Sequence, residues 1–199
     1  MYITLKASSY PSFSENELQN IENNLGHMAK KRVIDYTNTI NSYKAFSRAQ
    51  QLAKVNYYLN DILPKVDNPI KDKKNYWETP KEFLTIGAAD CEDYAIIKYF
   101  TLLKLGFEKE KLFVTAVYEK YTGEGHMVLS YFEEDGAQPL ILDNLSFNVV
   151  DLKKRKDLNA KMFINDSGVY ELNKDSKLVK VARGAKQFKE LLKRVKKES

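Results

Sequence analysis

The chain has 199 residues, 43% of them hydrophobic and 30% charged, with only 8 glycines and 5 prolines, a composition that excludes long disordered tracts and allows one well-filled core. No run approaches the roughly 18 consecutive apolar residues of a membrane span, and a single cysteine excludes an internal disulfide or a multi-cysteine zinc site. The net charge of +5 is concentrated at the C-terminal end, in Lys186, Lys189, Lys193, Arg194, Lys196 and Lys197.

The opening Met1 to Lys6 is too short, and the residues after it too polar, to be a complete secretory signal, which leaves a cytosolic protein or a chain whose signal has been removed. Residues 14 to 63 read as helical. Ser14 with Glu17 three positions later makes a capping-box start. Two or three amphipathic helices come next, the last carrying Leu52, Val55, Tyr58, Leu59 and Ile62 ahead of Pro64. A polar loop is expected from Asp67 to Asn75. Thr79 then caps a short helix, with Pro80 in its first position, and Gly87-Ala88-Ala89-Asp90 breaks it. The next helix, from Cys91 to about Leu105, is apolar nearly all round and should be central and buried, with Gly106 as its stop.

From residue 112 the period changes to that of strands. Runs at 112–118, 127–132 and 140–142 are separated by Gly123-Glu124-Gly125 and Glu134-Asp135-Gly136, as hairpin loops would separate them. A further hairpin is expected around Asp166-Ser167-Gly168, then a final helix from about Ala185. A buried helix followed by an antiparallel meander is an α+β fold. The expected organisation is a single unit spanning the chain: a helical part at 14–63, a core at 75–184 and a basic helix at 185–199. The basic helix has two readings, contact with an anionic surface or a solvated face. Phe188, Leu191, Leu192 and Val195 at helical spacing favour the second. The thirteen tyrosines form no stacking platform for single strands, and nothing points to nucleic acid.

The candidate chemistry lies at element ends. Cys91 would be the first helical residue after an Asp90 N-cap, which puts its sulfur near the positive end of the helix dipole and close to main-chain N–H groups that could hold an oxyanion. Of the two histidines, His27 reads as an exposed helix residue, while His126 comes directly after the glycine-rich turn. A hairpin tip at 134–136 places His126 opposite residues 143 to 145, a window that includes Asp143. A base and its orienter need such proximity. Each residue also has a plainer reading: Cys91 as core packing, His126 as a polar strand start, Asp143 as a turn residue. Taken together, the three fall on one expected rim. Read by itself, the lone Trp77 is a core anchor.

The block Asn75-Tyr76-Trp77-Glu78-Thr79-Pro80, then Gly87-Ala88-Ala89-Asp90-Cys91-Glu92-Asp93-Tyr94-Ala95, then His126-Met127-Val128-Leu129, then Leu140-Ile141-Leu142-Asp143-Asn144-Leu145 resembles the bacterial transglutaminase-like cysteine proteinases. Within them it is most similar to the LapG-type periplasmic proteases that release large surface adhesins. The resemblance implies a papain-like fold, with Cys91, His126 and Asp143 as the catalytic triad. It implies cleavage at a di-alanine site in an adhesin's N-terminal retention segment, release of the adhesin with biofilm dispersal, and sequestration by an inner-membrane cyclic-di-GMP receptor. A periplasmic location is implied too if a signal was removed. It also implies dependence on calcium (Ca2+), with Asp90, Glu92 and Asp93 as ligands. Hard oxygen donors suit that ion, and the same trio could simply favour the helix dipole. Three carboxylates beside Cys91 should oppose thiolate formation, and a bound dication would cancel that field. Two other functions fit the same residues, transamidation or amide hydrolysis on the same scaffold and a calcium-stabilised, non-catalytic binding module.

Overall fold

A computed structural model describes residues 9–62, 76–87 and 89–199. The polar loop expected from Asp67 to Asn75, the N-terminal hexapeptide, Pro64 and Ala88 lie outside the described residues.

Three helices open the fold: α1 (Glu15–Leu25), α2 (His27–Ser42) and α3 (Arg48–Asn60). The start of α1 is the expected capping box, with the Ser14 N–H donating to the Glu17 carboxylate at 2.8 Å and the Glu17 N–H returning to the Ser14 hydroxyl at 3.3 Å. Ser47 and Gln50 repeat the device at α3. The short helix α4 (Pro80–Ile86) is capped by Thr79 and carries proline in its first turn. It stops at Gly87, whose φ of 68° is left-handed and whose missing Cβ leaves room for the Arg32 guanidinium. That guanidinium donates to the carbonyls of Leu84 (2.6 Å) and Thr85 (2.8 Å), groups a helix end leaves without partners.

The next helix, α5 (Cys91–Lys104), is buried at every position from Asp93 to Leu103. It packs on α3 and on the first three strands of the sheet. All seven strands are antiparallel: β1 (Leu112–Glu119), β2 (Glu124–Tyr131), β3 (Leu140–Asp143), β4 (Ser146–Asp151), β5 (Leu158–Asn165), β6 (Gly168–Leu172) and β7 (Leu178–Ala182), in the order β4-β3-β2-β1-β5-β6-β7. The last helix, α6 (Lys186–Glu198), buries Phe188, Leu191 and Val195 and leaves its lysines outside, the solvated-face arrangement. The main core joins the helices to one face of the sheet through Val114, Leu129, Leu142 and Ile164. Smaller clusters cover the other face, one around Val117, Val128, Ile141 and Leu158 and one around Phe113, Phe132 and Phe163.

The α+β class and the helix-then-meander order hold, with three corrections. β2 begins at Glu124, so His126 is its third residue rather than its opening one. The first turn is therefore shorter than the glycine pattern suggested. The sheet also gains two strands, β4 and β7. Both are outermost and neither has a fully buried position, so neither shows the clean alternation that marks a half-buried strand. The helix carrying Leu52 and Val55 closes at Asn60, leaving Ile62 beyond its end.

Candidate active site

Cys91 opens α5, directly after an extended Asp90 at the N-cap position. Its sulfur lies against β2, where the main-chain N–H of Met127 stabilises the thiolate form. Met127 is the neighbour of His126, so the thiol and the imidazole come from adjoining points on α5 and β2. The β2–β3 ladder pairs Leu129 with Leu142, Ser130 with Ile141 and Tyr131 with Leu140, and stops there. Just past its end, His126 Nε2 and Asp143 Oδ1 are 2.8 Å apart. Continued by one step, this register sets Asp143 opposite Val128, two residues along the strand from His126, within reach as a diagonal cross-strand pair.

Asp143 is fully buried; Oδ1 is hydrogen-bonded, while Oδ2 is met by an ion pair and by no hydrogen bond among the described residues. Oδ1 also accepts the Leu145 N–H at 3.0 Å, and Oδ2 lies 2.8 Å from Arg155 Nη2. Burial alone would raise its pKa. The bond to His126, the Leu145 N–H and the Arg155 guanidinium outweigh it and bring the carboxyl down to about 2, so it is an anion at neutral pH. The main chain there is pinned as well. Asn60 of α3 donates to the carbonyls of Asp143 (2.7 Å) and Ser146 (3.0 Å), and Asn56 donates to Ser146 at 2.8 Å.

The acidic trio divides. Glu92 accepts a hydrogen bond from the Cys91 thiol at 3.4 Å. Asp93 turns inward, taking the Glu78 N–H on Oδ1 (2.8 Å) and the Asp90 N–H on Oδ2 (3.0 Å). Asp90 is exposed. Among the described residues no three His, Cys, Asp or Glu side chains converge as a ready-made metal cluster. The electrostatic load is nonetheless visible. Burial, then the charge of Glu92, push the Cys91 thiol up to about 12, and burial, then the charge of Glu78, push Asp93 up to about 8. The opposition between carboxylate and thiolate expected from sequence is present, with burial as the larger cause.

Of the other residues singled out in sequence, His27 is exposed and lies 3.1 Å from Glu22, away from this site. Trp77 is buried edge-on against Phe188 of α6, and its carbonyl accepts from Arg194. That is an anchoring arrangement. Sequence reasoning missed Glu78, Asn56, Asn60, Lys98 and Arg155. Glu78 lies inside a family-like block with no chemistry attached to it. Arg155 sits in Lys153-Lys154-Arg155-Lys156, which reads as a solvated run. Lys98 interrupts an otherwise apolar helix, and that interruption is its one signal in the sequence.

Residues 28–162 match the family described as bacterial transglutaminase-like cysteine proteinase. The chain belongs to the bacterial transglutaminase-like cysteine proteinases. Among solved structures it resembles LapG of Legionella pneumophila in a calcium-bound form, at 31% identity and a TM-score of 0.75 over 92% of this chain and 99% of that one. An EGTA-treated form matches at 31% identity and 0.77 over 93% and 99%, and a further LapG structure at 30% and 0.76 over 94% and 99%. No curated protein matches the chain. The family and these likenesses make the protein a cysteine proteinase of the LapG type, and its one cysteine is Cys91. Among the described residues no helix is long and apolar enough to cross a membrane.

Proposed function

We propose that this cysteine proteinase is a calcium-dependent endopeptidase that works through Cys91, His126 and Asp143. It cleaves the N-terminal region of a large surface adhesin at a small-residue, di-alanine site, which releases the adhesin and promotes biofilm dispersal. The observation that carries the triad is the 2.8 Å His126–Asp143 hydrogen bond beside the N-terminus of the Cys91 helix. The same proposal sets the enzyme in the periplasm, restrained by an inner-membrane cyclic-di-GMP receptor.

Asp143, held as an anion, fixes one nitrogen of His126 and leaves the other for the thiol. His126 takes the Cys91 proton, and the sulfur attacks the scissile carbonyl carbon. The C–N bond breaks as His126 returns the proton to the departing amine. Water then attacks the thioester, losing a proton to His126, and the C–S bond breaks to regenerate the thiol. Main-chain N–H groups at the start of α5 suit the oxyanion.

Calcium fits the chemistry of Asp90, Glu92 and Asp93, which offer only oxygen donors in a region where burial and Glu78 already disfavour ionisation of Asp93. Held there, the ion would neutralise the carboxylate charge that opposes the Cys91 thiolate. A LapG structure exists in calcium-bound form, which supports the same reading here.

The test is alkylation of Cys91 by iodoacetamide across pH, with calcium and after chelation, beside digestion of an adhesin N-terminal fragment. Fast labelling at neutral pH, lost in His126→Ala and on chelation, is expected together with a single cut in the fragment. Labelling at the rate of an ordinary thiol in folded, calcium-loaded protein would defeat the assignment.

A further inference from the structure

Asp143 receives a second buried contact that the triad chemistry does not by itself require. Arg155 lies in the loop between β4 and β5, and its side chain is only 14% exposed. Its Nη2 is 2.8 Å from Asp143 Oδ2, the oxygen that His126 does not use. The same guanidinium is clamped from behind by Asp157. Nε donates to Oδ1 at 3.0 Å and to Oδ2 at 3.1 Å, and Nη2 donates to Oδ2 at 2.6 Å. The loop itself is held by Lys120, whose N–H donates to the Asp157 carbonyl at 2.8 Å and whose Nζ donates to the Lys156 carbonyl at 2.7 Å. A carboxylate bonded only through Oδ1 could rotate about its last torsion, which is broad for aspartate. With the Leu145 N–H on Oδ1 and the Arg155 charge 2.8 Å from Oδ2, that rotation is opposed by an ion pair, Oδ2 taking no hydrogen bond among the described residues.

We infer that Arg155 is a positioning residue for the proteinase reaction, locking the Asp143 carboxylate so that Oδ1 stays aimed at His126, with Asp157 as the backstop. The inference rests on the assignment of Cys91, His126 and Asp143 under the proposed function. Two effects of the guanidinium oppose each other. As a lock it supports the imidazole. As a positive charge it draws off part of the field that Asp143 exerts on the imidazolium. The clamp by Asp157 on one side and Asp143 on the other gives the lock the upper hand, because a small misplacement of a catalytic group can cost about 10²-fold.

The experiment is iodoacetamide labelling of calcium-loaded protein across pH, read beside thermal unfolding. Arg155→Met should label about tenfold or more slowly at pH 7 than wild type, with the profile moving toward that of an ordinary thiol. Millimolar guanidinium should restore the rate in Arg155→Gly and leave His126→Ala unchanged. A purely structural role would lower the melting temperature without moving the pH profile and would show no rescue. A wild-type or faster rate in folded Arg155→Met overturns the inference. Should that variant fail to fold, Arg155→Lys decides, since it keeps the charge and loses the fork; a wild-type rate there also overturns it. Slow labelling of the wild-type protein itself would instead defeat the proteinase assignment on which the inference stands.

Discussion

The Cys91 thiol donates to the carboxylate of Glu92, its neighbour in the chain, across 3.4 Å. The group that must become an anion is thus held by one. After burial, the Glu92 charge is the next cause that pushes the thiol up to about 12. Glu92→Gln should therefore label faster than wild type in chelator, by about tenfold for each pKa unit recovered. With calcium the order should reverse, because the variant loses a proposed ligand. Labelling kinetics under both conditions check this, and equal rates in chelator would show that the contact has no electrostatic weight.

Asp143 gives a pH prediction of definite sign. Its folded pKa of about 2 lies below the ordinary aspartate value of 3.8, so the stability it contributes is present above about pH 4 and lost as the pH falls toward 2. Asp143→Asn should be less stable than wild type by about 2 kcal/mol at pH 7, with the gap closing below about pH 3. Cleavage should fall by about 10²–10⁴-fold, since an amide cannot hold the imidazole in the needed tautomer. Denaturation at the two pH values and peptide turnover read the two effects apart.

The turn that carries Asp143 depends on α3. Asn60 donates to two of its carbonyls and Asn56 to one. Asn60→Ala leaves buried acceptors unpaired and should cost about 1–3 kcal/mol. It should also slow cleavage more than Asn56→Ala does, because only Asn60 reaches the Asp143 carbonyl. Urea unfolding together with turnover of one peptide substrate tests the ranking.

Lys98 is fully buried, and its Nζ has no hydrogen-bond partner among the described residues. Burial lowers its pKa to about 7, with the Asp143 charge pulling the other way. The unfolded lysine holds its proton up to about 10.5. The cost of the buried charge is thus felt in full below pH 7 and relieved as the pH rises from 7 toward 10.5. Lys98→Met should be more stable by about 1–4 kcal/mol at pH 6, and the difference should shrink by about pH 10. A constant difference at all pH values would mean that the amine does not titrate in that window.

The order of elements and the main site were legible because their signals are local. A capping box marks α1, a Thr79 cap with Pro80 behind it marks α4, a run of apolar residues marks α5, and one hairpin tip sets the register that brings His126 near Asp143. Arg155 and Asn60 were not legible, for a physical reason. Asn60 reaches Asp143 from 83 positions away, and Arg155 comes back to it from the loop after β4, a strand the pattern does not reveal; no period or spacing reports such contacts. Asp93 shows a subtler limit. Its charge type was read correctly, but its direction was set by the Glu78 N–H, which only the packing of α4 beside α5 supplies. β4 and β7 escaped because outer strands with solvent on several sides lose the alternation that identifies strands.

Trp77, packed on Phe188, is the sole tryptophan of a chain that also has a sole cysteine. The protein therefore comes with two built-in spectroscopic reporters. Indole emission tracks the seam between α6 and the segment leading into α4, while any dye coupled to Cys91 tracks the reactive pocket. Metal titration and unfolding can be watched at two places at once on the unaltered sequence.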